Sequence, residues 1–134
     1  MNSPISPELP EMSSQSKGRK FERDIRDFFS RLLGAERVRL HGSYETHDLT
    51  VAGVTCECKV RAKASGLATI YEWLTQAPEG FVVAKIDRRR PIFYCDLGDI
   101  ISIAQALVGD RTDVDKQELI RRLEVIHRES DIGD

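Results

Sequence analysis

The chain lacks what several protein classes require. No apolar run in its 134 residues approaches the ~20 residues needed to cross a bilayer. Only three cysteines occur: Cys56 and Cys58 are two apart and Cys95 is remote. An odd count with no Cys-x-x-Cys pair argues against both a disulfide framework and a zinc site, and the three read as small buried hydrophobes. Proline is sparse outside the first sixteen residues, where Pro4, Pro7 and Pro10 fall. That segment, Met1 to Ser16, has neither hydrophobic periodicity nor the apolar stretch of a secretory signal. It reads as a flexible arm, and the expected compartment is the cytoplasm, with no membrane partner. Internal repeats and a second domain are also missing. A chain of this length, 40% hydrophobic and 31% charged, has the size and composition of one globular domain. The expectation is a single domain over 17–134, with a core over 17–97 and C-terminal helices over 98–134.

A large net charge is absent too. The formal value is −2, which by itself speaks against a nucleic-acid partner, but the distribution is uneven. Lys17 to Cys95 carries 15 Lys/Arg against 10 Asp/Glu, whereas Asp96 to Asp134 carries 5 against 10. A basic front and an acidic tail are compatible with a DNA-facing surface on part of the fold, although charge runs are usually solvated faces.

Hydrophobic spacing gives the order of elements. Phe21, Ile25, Phe28 and Leu32, broadened by Phe29 and Leu33, predict a helix from Lys17 to about Leu33, stopped at Gly34. Glu36 to Leu40 reads as a short strand and His41 to Thr46 as a polar loop. Asp48 to Val51 and Val54 to Val60 read as a hairpin turning at Ala52-Gly53. After a basic connection over Arg61 to Ser65, Gly66 to Gln76 predicts a helix with Leu67, Ile70, Tyr71 and Leu74 on one face, ended by Pro78 and Gly80. Phe81 to Ile86 and Pro91 to Leu97 read as strands joined by a basic turn, Asp87 to Arg90. Two helices follow: Asp99 to Val108, closed by Gly109, and Asp115 to His127, with Leu119, Leu123 and Ile126 inward. The expected class is α/β, a small mixed sheet with helices packed on it.

The hairpin carries the chemistry. Side chains alternate along a strand, so Glu57 and Lys59 share one face while Cys56, Cys58 and Val60 take the other. A turn at Ala52-Gly53 brings Asp48, at the start of the first strand, near Glu57 and Lys59. Two carboxylates are hard oxygen ligands that suit Mg²⁺, with Mn²⁺ as substitute. A cation so held polarises a phosphodiester, and a neighbouring lysine orients water or stabilises developing negative charge. The bland alternative is a surface hairpin with a cross-strand salt bridge, since Glu-x-Lys alone is a common pattern.

Asp48 followed by Glu57-Cys58-Lys59 resembles the motif of the PD-(D/E)xK nucleases. The branch it most resembles is the archaeal-type Holliday junction resolvases and their small phage relatives. Lys17-Gly18-Arg19-Lys20-Phe21-Glu22-Arg23 is similar to that branch's N-terminal KGxxxER helix, Leu40-His41-Gly42-Ser43 to its glycine-serine loop, and Asp48-Leu49 with Ala52-Gly53 to its DLxAG strand and turn. His47 stands where the motif name has proline. The likeness covers roughly Lys17 to Leu97; the acidic tail matches nothing in it. It implies a restriction-endonuclease-like mixed sheet flanked by helices and an Mg²⁺-dependent endodeoxyribonuclease acting on branched DNA as a homodimer in a bacterial or phage-infected cell. Asp48, Glu57, Lys59, Glu22 and Ser43 would be catalytic, with Asp48, Glu57 and Glu22 on the metal. Lys17, Arg19, Lys20, Arg61 and Lys63 are the candidate DNA contacts along the approach to the site.

Each of these residues also has a plainer reading. Glu22 could be a helix-surface charge and Ser43 an ordinary loop residue. His41 and His47 flank the site, where loop polarity explains them more simply than proton transfer. Trp73 favours packing over base stacking, and Arg88-Arg89-Arg90 is by default a solvated turn. Other functions on the same residues are a flap, nicking or phage-defence nuclease, a catalytically inactive DNA-binding module, or a small regulator whose Glu-x-Lys is accidental.

Overall fold

The computed structural model describes residues 14–42, 47–109 and 114–129, with positions 14–15, 41–42 and 47–48 defined by backbone alone. The first helix, α1, spans Ser14–Leu33, so it begins ahead of the expected Lys17 and takes in the last three residues of the expected arm. Phe21, Ile25, Phe29 and Leu33 are its buried row. They stand four apart, on one side of a 3.6-residue helix. Phe28 and Leu32, expected on the central stripe, are only partly buried beside it.

A tight 3-10 turn over Ala35–Arg37 follows, where the sequence suggested the start of a strand. Strand β1 is therefore Val38–Gly42, displaced toward the C-terminus and including His41 and Gly42, which were expected in a loop. β2 is His47–Val51, β3 Val54–Arg61, β4 Phe81–Ile86 and β5 Ile92–Cys95. They form one five-stranded sheet in the order β1-β2-β3-β4-β5. The β1/β2, β2/β3 and β4/β5 pairs are antiparallel and β3/β4 is parallel. A parallel pair needs a crossover, supplied by helix α2, Leu67–Thr75. The chain is thus an α/β protein with a mixed sheet flanked by helices, as its sequence predicted.

β4 lies between β3 and the edge strand β5, and Phe81, Val82, Val83 and Ala84 are all buried, the continuous apolar run expected of a strand covered on both faces. Phe81 and Val83 join the α1 row, with Leu49, Val51 and Cys56, in the larger core. Val82 and Ala84 meet Trp73, Ile70 and Leu74 of α2 in a smaller one. The chain enters β4 through Gly80, where a Cβ would strike the carbonyl oxygen of Thr55 on β3, so a side chain there would push the two central strands apart.

The buried sides of two helices, α2 and α4, differ from expectation. On α2, Leu67 and Tyr71 are 65% and 62% exposed while Trp73 is buried; the short helix is turned so that its largest ring covers β4. A second 3-10 turn, Leu97–Asp99, ends the β5 segment earlier than expected. Helix α3, Ile100–Val108, then buries Ile103 and leaves Ile100 and Ile101 outward. Helix α4 spans Lys116–Glu129. Asp115 does not begin it but caps it, its carboxylate accepting from the Glu118 amide at 2.8 Å, as N-cap acids do. Leu119 and Ile126 are buried as expected, but Leu123 is 42% exposed. α4 lies along α1, where Arg122 donates to the Leu32 carbonyl and Arg31 meets Glu129. Among the described residues no helix is long and apolar enough to cross a membrane.

Candidate active site

The hairpin turn sets the register. Ala52 and Gly53 both have positive φ, 51° and 80°, the requirement of the two-residue turn that matches strand twist. It pairs Val51 with Val54, Thr50 with Thr55 and Leu49 with Cys56. Leu49, Val51 and Cys56 enter the core under α1. One residue beyond the Leu49–Cys56 pair stand Asp48 on β2 and Glu57 on β3. Asp48 is also the register partner of His41 on β1. Its place in the site is a backbone position, and the same holds for His41 and His47. Ser43 lies outside the described residues.

β3 continues to Arg61 alongside β4, where Glu57 pairs with Val82, Lys59 with Ala84 and Arg61 with Ile86. Cys56, Cys58 and Val60 belong to the core beneath α1, and alternation gives Glu57 and Lys59 the other face. There the Lys59 ammonium is 3.4 Å from Glu57 Oε1, and the two side chains are only 16% and 18% exposed. They border a cleft of about 590 Å³ that reaches around β3 beyond the end of its pairing with β2 and is lined as well by Cys58 and Val60, Lys17, Gly18 and Glu22 of α1, Arg61, and Asp87 after β4. Glu22 is thus among the residues that line the cleft from the first helix. The Cys56 thiol lies behind the cleft, on the core side of β3. Its pKa is pushed far up, first by its hydrogen bond with Cys58, then by burial, and further by the negative charges of Glu57 and Glu22. A thiol held protonated this way packs as a hydrophobe and is not a nucleophile.

The basic residues divide. Lys17 borders the cleft but is engaged by Asp87 at 2.9 Å. Lys20 is held by Asp24 one turn on, and neither it nor Arg19 lines the cleft. Arg61 does, and its guanidinium lies 5.2 Å from the Trp73 ring centroid, as a cation over an aromatic face. Arg61 is also the wall of a second pocket, which Lys63 and Arg89 line. Arg90 turns away toward His127. Trp73 is a packing residue, as expected, with the addition that it carries Arg61. Asp87 reads from the sequence as the start of the turn after β4 and, with Arg88, as part of the pattern resembling the small phage relatives, but without a place at the site. That place arises because its amide donates to the Arg61 carbonyl, which brings it beside the α1 N-terminus.

Glu22 and Glu57 offer hard oxygen donors in one cleft, with Asp48 at the adjoining register position. That donor chemistry fits a hard divalent cation that keeps much of its water. Among the described residues no three His, Cys, Asp or Glu side chains lie close enough to form a complete metal-binding group. Compared with known proteins, the chain matches no family model, no curated protein and no solved structure.

Proposed function

We propose that the chain is a metal-dependent endodeoxyribonuclease of the PD-(D/E)xK type that cuts branched DNA, a Holliday junction resolvase in its specific form. The observation that carries this reading is the Glu57–Lys59 pair, 3.4 Å apart, in a cleft shared with Glu22, with Asp48 and Glu57 each one residue beyond the last β2/β3 pair. The fold class supports it: a mixed sheet flanked by helices is the architecture that the resemblance to these nucleases implies.

Asp48, Glu57 and Glu22 would hold Mg²⁺, or Mn²⁺ in its place, and the cation would supply Lewis-acid polarisation of a phosphodiester. The chain's own residues do the rest. Lys59, fixed by Glu57 and largely shielded from water, presents a positive charge where a phosphate gains negative charge, and the low local dielectric strengthens that attraction. Its ammonium also donates to water approaching the phosphate. Lys63 beyond the rim would contact the backbone and Arg61 at the rim would add its charge to the same strand, which positions DNA without reading sequence.

Cutting two strands of opposite polarity needs two such sites related by a twofold axis, so the reading includes a homodimer. The edge strand β5 and helix α3 offer apolar surface for it: Ile92, Phe93, Ile100 and Ile101 are 44–68% exposed. Light scattering at micromolar concentration, alone and on DNA, tests this part. A strict monomer in both favours a flap or nicking nuclease with the same chemistry.

The direct test is cleavage of labelled four-way junction, flap, duplex and single-stranded DNA with Mg²⁺ and with EDTA. The expected result is Mg²⁺-dependent cutting of branched substrates. Failure to cut any substrate with either Mg²⁺ or Mn²⁺ would leave at most an inactive DNA-binding module.

A further inference from the structure

The second pocket, on the α2 face of the sheet beyond Arg61, encloses about 470 Å³, within the range of small-ligand sites. Its apolar floor and walls come from Ile70 and Trp73 of α2 and Ala84, Ile86 and Tyr94 of the sheet. Arg61, Lys63 and Arg89 stand exposed around it, and no carboxylate lines it. Lys85 and Arg90 border it as well, but the Lys85 ammonium lies over Phe21 on the opposite face and Arg90 bonds His127, so three cations remain for a ligand.

This combination selects a flat aromatic group carrying an anion. Arg61 is layered on Trp73 and bonded to the Val60 carbonyl at 2.9 Å, which holds its guanidinium plane in place. Bases stack on arginine planes and tyrosine rings, and phosphates bind arginine forks. We infer that this pocket receives one unpaired nucleotide of the substrate strand, its base between Arg61 and Tyr94 and its phosphate at Lys63 and Arg89. The inference rests on the nuclease reading for its placement: Arg61 borders both pocket and cleft, so the nucleotide in the pocket is a near neighbour of the phosphate at Glu57 and Lys59. A base stacked and paired inside a duplex cannot enter. The substrate class is therefore DNA with an unpaired nucleotide beside the scissile bond, as at a strained branch point or a flap.

Trp73 is the single tryptophan of the chain, so its fluorescence reads this pocket directly. The experiment titrates the full chain in EDTA and low salt with dT5, with dTMP, and with a blunt duplex. The inference expects saturable quenching by dT5, at least about fivefold weaker apparent binding of dTMP, and no comparable quenching by duplex. Tyr94→Leu should weaken dT5 binding about tenfold, in the range found for loss of one stacking partner. Arg89→Ala should weaken it by a similar factor, with thermal midpoints of both variants checked against the parent. Equal quenching by duplex would make this a backbone contact, and equal binding of dTMP a free-nucleotide site. Either result overturns the inference, as does unchanged dT5 affinity in a folded Tyr94→Leu protein. Because binding is read without metal, an inactive protein that still binds dT5 refutes only the nuclease reading. A protein that cuts DNA without Trp73 responding to dT5 refutes only the pocket.

Discussion

Replacing Lys59 by methionine removes the ammonium but keeps an apolar stem of similar length, and it tests whether Glu57 and Lys59 act as a unit. At 3.4 Å an ion pair in a surroundings of effective dielectric ~20 gains about 5 kcal/mol in gross Coulomb energy. Most of that is offset by desolvation, because both side chains are more than four-fifths shielded. The net coupling should fall between that of an exposed pair, up to ~1 kcal/mol, and the 3–5 kcal/mol lost when a fully buried pair is broken. We expect Lys59→Met and Glu57→Gln each to cost about 1.5–2 kcal/mol. The double variant should cost no more than the worse single, a coupling of roughly 1.5 kcal/mol in a double-mutant cycle. Urea unfolding provides the measurement, with an unchanged slope showing that the change is in stability. Adding Mg²⁺ should raise the midpoint of Lys59→Met more than that of the parent, since the ammonium no longer competes for Glu57. Additive single effects, or a Mg²⁺ response lost along with Lys59, would refute the reasoning.

Other changes follow from the backbone and the basic rim. Ala52→Asn should stabilise by about 0.5–1 kcal/mol in the same urea assay, because Ala52 has φ 51° and asparagine tolerates that region better than alanine. Gly80→Ala should cost about 2 kcal/mol or more, since its Cβ meets the Thr55 carbonyl and rigid backbone must move; a neutral melt would contradict the close approach. Replacing Arg61 and Lys63 together with alanine should weaken binding to every DNA sequence and flatten the salt slope by ~2 units; an unchanged slope would put the DNA elsewhere.

What the sequence made legible follows from periodicity. The helical spacing of Phe21, Ile25, Phe28 and Leu32, broadened by Phe29 and Leu33, announces a helix, and Ala52-Gly53 between alternating strands fixes a hairpin whose arithmetic brings position 48 near Glu57. The faces of short helices were harder to read. α2 has only nine residues, so Leu67-Ile70-Tyr71-Leu74 and Ile70-Trp73 are both plausible stripes, and the choice belongs to β4, which needs the larger ring over Val82 and Ala84. Leu123 faces α1 as expected but lines an open groove with Phe28, Phe29 and Leu32, so it stays partly exposed where Leu119 and Ile126 are buried. The basic residues were legible as a cluster but not in their pairing. Nothing in the spacing of Lys17 and Asp87, seventy residues apart, foretells their ion pair, and nothing in Arg61 and Trp73 foretells that one lies on the other.

Single-turnover cleavage of a labelled four-way junction by the parent, Asp48→Asn and Glu57→Gln bears most directly on the proposed metal chemistry, with Mg²⁺ present and with binding measured separately in EDTA. Each variant loses a carboxylate charge but keeps the side-chain size. The account predicts Mg²⁺-dependent cutting by the parent. It predicts a fall of at least about a thousandfold in both variants, in line with removing a group aimed at the reacting charge, with junction affinity preserved because arginine and lysine contacts to phosphate supply it. Cleavage by either variant at the parent's rate would contradict it.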